Sequence, residues 1–166
     1  SAKLWRQGIS YGRVSNELQY RNADGSVRED ASPEAQRNRC RTHIKFLENR
    51  HQSKFEILEH LSDEGFSGKN TNRPAYQRLW RLIPSGKISF IIATELSRIS
   101  RTVIDFLDHV AHCEKHGVSI FIIGLDLDTS TPFGRVLVVI LVALAQFERE
   151  MTSVRVRDNA LSRLLT

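Results

Sequence analysis

Short apolar runs alternate along the chain with longer stretches whose apolar residues recur every three or four positions. The runs are Leu4 to Ile9, Phe55 to Leu61, Ile88 to Ala93 and Val118 to Ile123. Isoleucine, valine and phenylalanine recur in them, and turn-forming residues bound them, which predicts strands. The first is expected as a strand at the edge of the domain, ending in a polar turn. The longer stretches predict helices. Ser32-Pro33-Glu34 has a capping serine, a proline for the first helical position and an acid in the first turn. That helix is expected to reach about Asn49, with Cys40, Ile44 and Leu47 on its inner side. Asn72-Arg73-Pro74 opens a short helix that Pro84-Ser85-Gly86 ends. Thr102 to His116 is amphipathic, with Val103, Phe106, Leu107, Val110 and Cys113 inward and Gly117 as its stop. Residues 16–31 read as a polar loop, with Leu18 and Tyr20 facing Val27 in a small hairpin about Asp24-Gly25. Asp63 to Gly68 reads as a second loop, Glu95 to Arg101 as a basic turn and Asp126-Leu127-Asp128 as an acidic one.

Strands alternating with helices predict an α/β fold, a mainly parallel central sheet flanked by helices. A long projecting C-terminal helix completes it. It starts at Thr131-Pro132 and runs to the chain end, about 50 Å at about 1.5 Å per residue. A domain of this size cannot bury such a length. Leu137, Ile140, Leu144, Phe147, Met151, Val154, Leu161 and Leu165 follow alternating three- and four-residue steps, interrupted only at Asp158. Val136 to Ala145 is apolar on every side, and a helix apolar all round must be covered all round. One side can pack on the sheet domain; the rest calls for partner subunits. The expected organisation is an α/β body over residues 1–131 with helix 132–166 as part of the same domain.

Composition narrows this little. The 166 residues suit one domain with a sizeable core, and 40% hydrophobic with 26% charged residues is ordinary for a globular protein. The net charge of +5 is compatible with a polyanionic partner. Cys40 and Cys113 are the only cysteines, far apart, which argues against a disulfide framework or a cysteine zinc site. There is no signal-peptide pattern, and the longest apolar run is too short to span a bilayer. A chain that opens Ser-Ala and ends inside a helical pattern is expected to be part of a longer protein.

Three sets of residues carry candidate chemistry. Tyr11-Gly12-Arg13-Val14-Ser15 sets Arg13 two residues before Ser15, on one face if extended. A serine hydroxyl is a weak nucleophile, and a guanidinium beside it suits a phosphate. Arg73, Arg98, Arg101 and Arg149 also sit at element ends or turns, free to converge on one phosphate or to lie apart in solvent. Asp126, Asp128, Glu148 and Glu150 are either magnesium ligands or solvated acids. His109, His112, Cys113 and His116 have four-residue spacings that suit zinc, but the predicted inner face takes Cys113 and leaves the histidines on the surface. No second glycine follows Ser15, so a hydrolase elbow is not supported.

Several segments taken in order resemble the catalytic domain of serine site-specific recombinases, the resolvase/invertase family. They are Tyr11 to Ser15; Gln36; Asp63-Glu64-Gly65-Phe66-Ser67-Gly68; Asn72-Arg73-Pro74-Ala75-Tyr76; Leu96-Ser97-Arg98-Ile99-Ser100-Arg101; Asp128-Thr129-Ser130-Thr131 with Gly134; and Ala145-Gln146-Phe147-Glu148-Arg149-Glu150. The Asn72 to Tyr76 segment leans toward the large serine integrases and transposon recombinases. The resemblance spans about residues 8–157 and implies a mechanism. Ser15 attacks a DNA phosphodiester, forms a 5′-phosphoserine link and releases a 3′-hydroxyl. Strand exchange and religation follow without ATP. Arg13, Arg73, Arg98 and Arg101 neutralise the phosphorane, and Gln36 orients the serine or the phosphate. Tyr11, Arg149, Arg155, Arg157 and Arg163 fall at DNA-facing positions. No cofactor or metal is implied.

The implied partners are double-stranded DNA recombination sites and copies of the same chain, as a homodimer and a synaptic homotetramer through helix 132–166, with no membrane. The implied setting is the cytoplasm of a bacterium or a phage host, at the nucleoid, with a DNA-binding domain downstream. Two other readings stay in view: a non-enzymatic DNA-binding or assembly module, and a metal-dependent nuclease using Asp126, Asp128 and Glu148. The chain departs from the family pattern in three places. Ser97 stands where an acid is usual, Val154 stands where glutamate often precedes Arg155, and the loop after Ser15 is long.

Overall fold

The computed structural model describes residues 4–14, 24–26, 32–64, 73–100 and 102–164. Its centre is a five-stranded sheet in the order β2-β1-β3-β4-β5. The strands are β1 (Trp5–Val14), β2 (Lys54–Glu64), β3 (Phe90–Ala93), β4 (Ser119–Ile122) and β5 (Leu127–Asp128). The first four are parallel and β5 is antiparallel to β4. The helices are α1 (Pro33–His51), α2 (Pro74–Leu82), α3 (Leu96–Ile99), α4 (Val103–Lys115) and α5 (Pro132–Leu164). The mainly parallel sheet with a long C-terminal helix is as the sequence predicts.

Two apolar clusters hold the layers. Phe55, Phe90, Ile92 and Phe121 meet Cys40 and Leu47 of α1 on one face. Ile9, Tyr11, Leu61, Ile91, Ile120 and Ile122 meet α2, α4 and the first part of α5 on the other. Neighbouring residues of a strand point to opposite faces, so β2, β3 and β4 feed both clusters, while Ile9 and Tyr11 of β1 and Leu127 of β5 join the second. Helix starts follow the local chemistry. Ser32 Oγ accepts from Ala35 N, Thr102 Oγ1 accepts from Asp105 N, and Gly117 supplies the left-handed residue after α4.

Several features differ from expectation. The first strand is not at the edge: it lies between β2 and β3 and runs on through the polar residues to Val14. Those residues stay in the sheet because each finds a partner: Ser10 Oγ is 2.5 Å from His60 Nδ1, and the Tyr11 hydroxyl donates to Asp63 at 2.8 Å. Asp63 and Glu64 are the last residues of β2 rather than a loop. The basic turn after β3 contains the one-turn helix α3, and β3 itself begins only at Phe90. Asp126-Leu127-Asp128 is not simply an acidic loop, because Leu127 and Asp128 form β5 and are both buried. The hairpin expected of Leu18, Tyr20 and Val27 falls outside the described residues.

Helix α5 divides in two. Gly134, Leu141 and Ala145 are buried, with Leu137 and Val138 packed on the core. A Cβ on Gly134 would run into the backbone carbonyl of Asp128, so only glycine lets α5 start this close to β5. Beyond Ala145 every described residue is exposed. Ile140, Leu144, Phe147, Met151, Val154 and Leu161 of the expected seam lie uncovered. Among the described residues no helix is long and apolar enough to cross a membrane.

Candidate active site

The carboxyl ends of β1, β2 and β3 are where the chain gathers polar side chains, the usual place for a ligand in a parallel sheet. Gln36 of α1 is fully buried there and grips one residue of β1 from above. Its Oε1 accepts from Arg13 N at 3.2 Å, and its Nε2 donates to Arg13 O at 3.4 Å. Gly12 makes room: a Cβ there would strike Gln36 Oε1. Gln36 therefore acts on the backbone that carries Arg13 into the residue before Ser15.

Arg73 and Arg98, from separate elements, reach the end of β1, where Arg13 stands. Arg13 Nη2 donates to the Ser97 carbonyl at 3.0 Å, and Arg98 Nη1 donates to the Arg13 carbonyl at 3.0 Å. This reciprocal clasp ties the end of β1 to α3. Arg73, just before α2, donates from Nη2 to the Tyr11 hydroxyl at 2.7 Å. Its guanidinium also lies over Tyr76, 4.2 Å from the ring centre. Arg73 Nε is buried and has no hydrogen-bond partner among the described residues.

Asp63 organises this corner; the sequence reading placed it in a loop and in a segment of the family resemblance but gave it no role. Its carboxylate is 1% exposed and accepts from the Tyr11 hydroxyl, Ala75 N and Tyr76 N. It thus caps α2 from a neighbouring strand, since Arg73 in the capping position offers no side-chain acceptor. Arg73 Nε stands 3.9 Å from the same carboxylate, a long ion pair. Burial pushes the Tyr11 hydroxyl above its ordinary pKa, so it stays protonated and donates to Asp63 while accepting from Arg73. The sequence signal was a Tyr-x-Arg strand end followed by an acid at the end of the next strand; their register, Tyr11 beside Leu61 and Arg13 beside Asp63, appears only in the sheet.

Ser15 and Arg101 fall outside the described residues; Val14 and Thr102 are their described neighbours. Arg149 is exposed on α5 and lines a groove with Thr102, Val103 and Ile104 at the start of α4. Arg155, Arg157 and Arg163 lie exposed on the outer part of α5.

The acidic set does not form one site. Asp128 is 2% exposed; its carboxylate lies 2.7 Å from His51 Nε2 and accepts from Ser130 N and Oγ. Asp126 pairs with Arg50 at 3.1 Å, and Glu148 lies on α5 in the groove that Arg149 lines. Among the described residues no group of three or more His, Cys, Asp or Glu side chains is placed to hold a metal ion. The histidine cluster is also corrected. His109 is buried, not on the surface, because Tyr76 and Trp80 of α2 close over it. Cys113 is buried and its thiol is pushed up to about 12 by burial, far from a ligand-ready thiolate.

A family model described as "Resolvase, N terminal domain" matches residues 8–163. A DNA-invertase of Enterobacteria phage P7 is 29% identical over 99 residues, which are 60% of this chain and 52% of that protein. The chain spans about half the length of the curated relatives it matches. The N-terminal catalytic domain of TP901-1 integrase superposes with a TM-score of 0.67 at 27% identity, covering 88% of this chain and 98% of that one. A resolvase family site-specific recombinase from Streptococcus pneumoniae superposes with a TM-score of 0.70 at 25% identity, covering 97% and 99%.

Proposed function

We propose, on the ground that this chain belongs to the resolvase N-terminal domain family, that it is the catalytic domain of a site-specific DNA recombinase. The observation that carries the reading is the convergence of Arg13, Arg73 and Arg98 on the last residues of β1, directly ahead of Ser15. Guanidinium groups gathered at one strand end offer forks of donors that match phosphate oxygens and keep their charge at every working pH. A phosphodiester presents such oxygens, and its charge grows toward the transition state.

In this account Ser15 Oγ attacks the scissile phosphorus. A bond forms between serine oxygen and phosphorus, the bond to the 3′-oxygen breaks, and the 3′-hydroxyl leaves with a proton. Ser15 is left joined to the 5′-phosphate. Strand exchange precedes the reverse attack, and the phosphoester retains the bond energy, so no ATP is used. Arg13, Arg73, Arg98 and Arg101 hold the phosphorane oxygens; preorganised donors of this kind are worth about 10²–10³-fold each in rate. Gln36 keeps the strand end in register, and Tyr11 fixes Arg73. Ser97 cannot serve as the acid or base that a carboxylate would be at its position.

Arg149, Arg155 and Arg157 contact DNA phosphates along α5, a salt-sensitive and sequence-independent contribution. The uncovered apolar seam of α5 meets the same seam of other copies, first in a dimer and then in a synaptic tetramer. Sequence choice belongs to a DNA-binding domain elsewhere in the protein.

The test is covalent trapping on a nicked DNA site. The protein is expected to form a DNA adduct in the presence of EDTA, and Ser15→Ala to form none. An adduct of normal yield from Ser15→Ala refutes serine attack, and cleavage abolished by EDTA refutes the whole scheme in favour of a metal-dependent nuclease.

A further inference from the structure

Beside Arg73, reached through Tyr76, lies a second polar network. The Tyr76 hydroxyl is 2.5 Å from His109 Nε2. His109 Nδ1 faces the backbone carbonyl of Asp105, one turn earlier on α4. A carbonyl can only accept, so Nδ1 carries the proton of the neutral ring. Nε2 is then an acceptor, and the tyrosine hydroxyl donates to it. Trp80 packs on the imidazole at 4.6 Å, and Ser100 Oγ approaches Nδ1 at 3.5 Å. The whole assembly walls a cleft of about 310 Å³, which Arg73, Ile99 and Asp108 complete.

Arg73 is sparsely bonded for a guanidinium with a side chain only 13% exposed. Among the described residues it makes one short hydrogen bond, to Tyr11, and one long ion pair, to Asp63. Among the described residues, its plane is otherwise set by the pair of aromatic rings it rests on, Tyr11 at 5.9 Å and Tyr76 at 4.2 Å. A cation over an aromatic face is attracted by the ring, so the ring's tilt sets where the cation sits. The backbone of Tyr76 is held by Asp63 and its hydroxyl by His109. Both ends of the platform are thus pinned, one from β2 and one from α4.

We propose that Tyr76 and His109 are positioning residues for Arg73, through which helix α4 holds that arginine in the orientation that receives the scissile phosphate. The inference rests on the recombinase reading, in which Arg73 contacts the phosphate; neither Tyr76 nor His109 touches DNA. It implies a specific pH response. Burial lowers the His109 pKa from 6.5 and the Arg73 charge adds to this, while the Asp105 carbonyl and the Asp105 and Asp108 carboxylates of α4 oppose it. His112, the next histidine of α4, lies on the other side of the network against Trp80. At neutral pH His109 accepts from Tyr76. On protonation Nε2 becomes a donor, the Tyr76 hydroxyl must turn to accept from it, and a second cation faces Arg73.

The experiment measures single-turnover DNA cleavage by the full protein on its own site, as a function of pH, for three variants. Tyr76→Phe keeps the ring and removes the bond to His109; it is expected to slow cleavage about tenfold, the rate equivalent of one buried hydrogen bond. Tyr76→Leu removes the platform and is expected to cost about 10²-fold, the scale of a misplaced catalytic group. DNA affinity is expected to be unchanged in both. The wild type is expected to lose rate as pH falls below 6.5, and Tyr76→Phe and His109→Gln to lose that acid limb. An acid limb retained in both variants, or a Tyr76→Phe rate equal to wild type, overturns the proposal. Nitrogen chemical shifts of the His109 ring give a readout independent of cleavage: a proton on Nε2, or no change in Tyr76→Phe, also overturns it. Failure of the recombinase reading appears separately, as an adduct formed by Ser15→Ala.

Discussion

Replacing Asp63 by asparagine isolates the acid on which the arginine corner is built. The carboxylate is 1% exposed and accepts three hydrogen bonds, from the Tyr11 hydroxyl, Ala75 N and Tyr76 N. Asparagine keeps one acceptor oxygen and sets an amide donor against at least one of those three donors. Bonds to a charged acceptor are worth about 1.5–3 kcal/mol each, and one or two are lost. Arg73 also loses its only described acid, at 3.9 Å, a long pair that adds a smaller amount. The expected destabilisation is about 3–5 kcal/mol, a large share of the about 5–15 kcal/mol available to a domain. Urea unfolding followed by far-ultraviolet circular dichroism measures it as a lowered midpoint at unchanged slope. Repeating the substitution in an Arg73→Met background separates the two contributions: without the buried cation, the cost is expected to fall by about 1 kcal/mol or more. A loss below about 1 kcal/mol for Asp63→Asn would show that the carboxylate does not anchor β1, β2 and α2 as the geometry requires.

Other consequences follow from the same contacts. Gly134→Ala pushes a Cβ into the Asp128 carbonyl and is expected to cost about 2 kcal/mol or more in urea unfolding, whereas Ala145→Gly, where no space is contested, is expected to cost about 1 kcal/mol. His43, His60 and His109 all have pKa values lowered by burial, so the unfolded chain takes up their protons first as pH falls. Stability is therefore expected to drop as pH falls through 6.5 and to level off below the folded-state values; a midpoint flat across that range would contradict it. Burial pushes both Cys40 and Cys113 thiols up to about 12, so neither is expected to react with a thiol reagent at mildly alkaline pH until the chain unfolds.

The parts of the fold that announce themselves in the sequence are those whose burial is apolar and local. Phe90–Ala93 and Ser119–Ile122 are legible because uniform apolar runs belong to strands covered on both faces. Helices α1 and α4 are legible because serine and threonine caps precede a helical repeat. The second half of β1 is not. Ser10, Tyr11 and Arg13 read as a turn, and what keeps them in the sheet is His60, Asp63 and Gln36, which lie 23 to 52 positions away. His109 escapes for a similar reason. Its side of α4 looks polar until Tyr76 and Trp80 of α2 cover it. The arginines are legible one at a time; spacing does not say that Arg13, Arg73 and Arg98 meet. The ordered resemblance to a family supplied that expectation, and the strand register and the α3 clasp supply the geometry. The double role of Asp63 as helix cap and arginine partner is outside the reach of either, because its partners come from three elements.

The most direct test of the account is to identify the residue that becomes joined to DNA. A DNA site labelled at the phosphate of the scissile bond is incubated with the protein in EDTA, the adduct is digested, and the labelled peptide is sequenced by mass spectrometry. The account predicts a single labelled peptide carrying a 5′-phosphate ester on Ser15. Label on any other residue, or cleaved DNA with no labelled peptide, would contradict it.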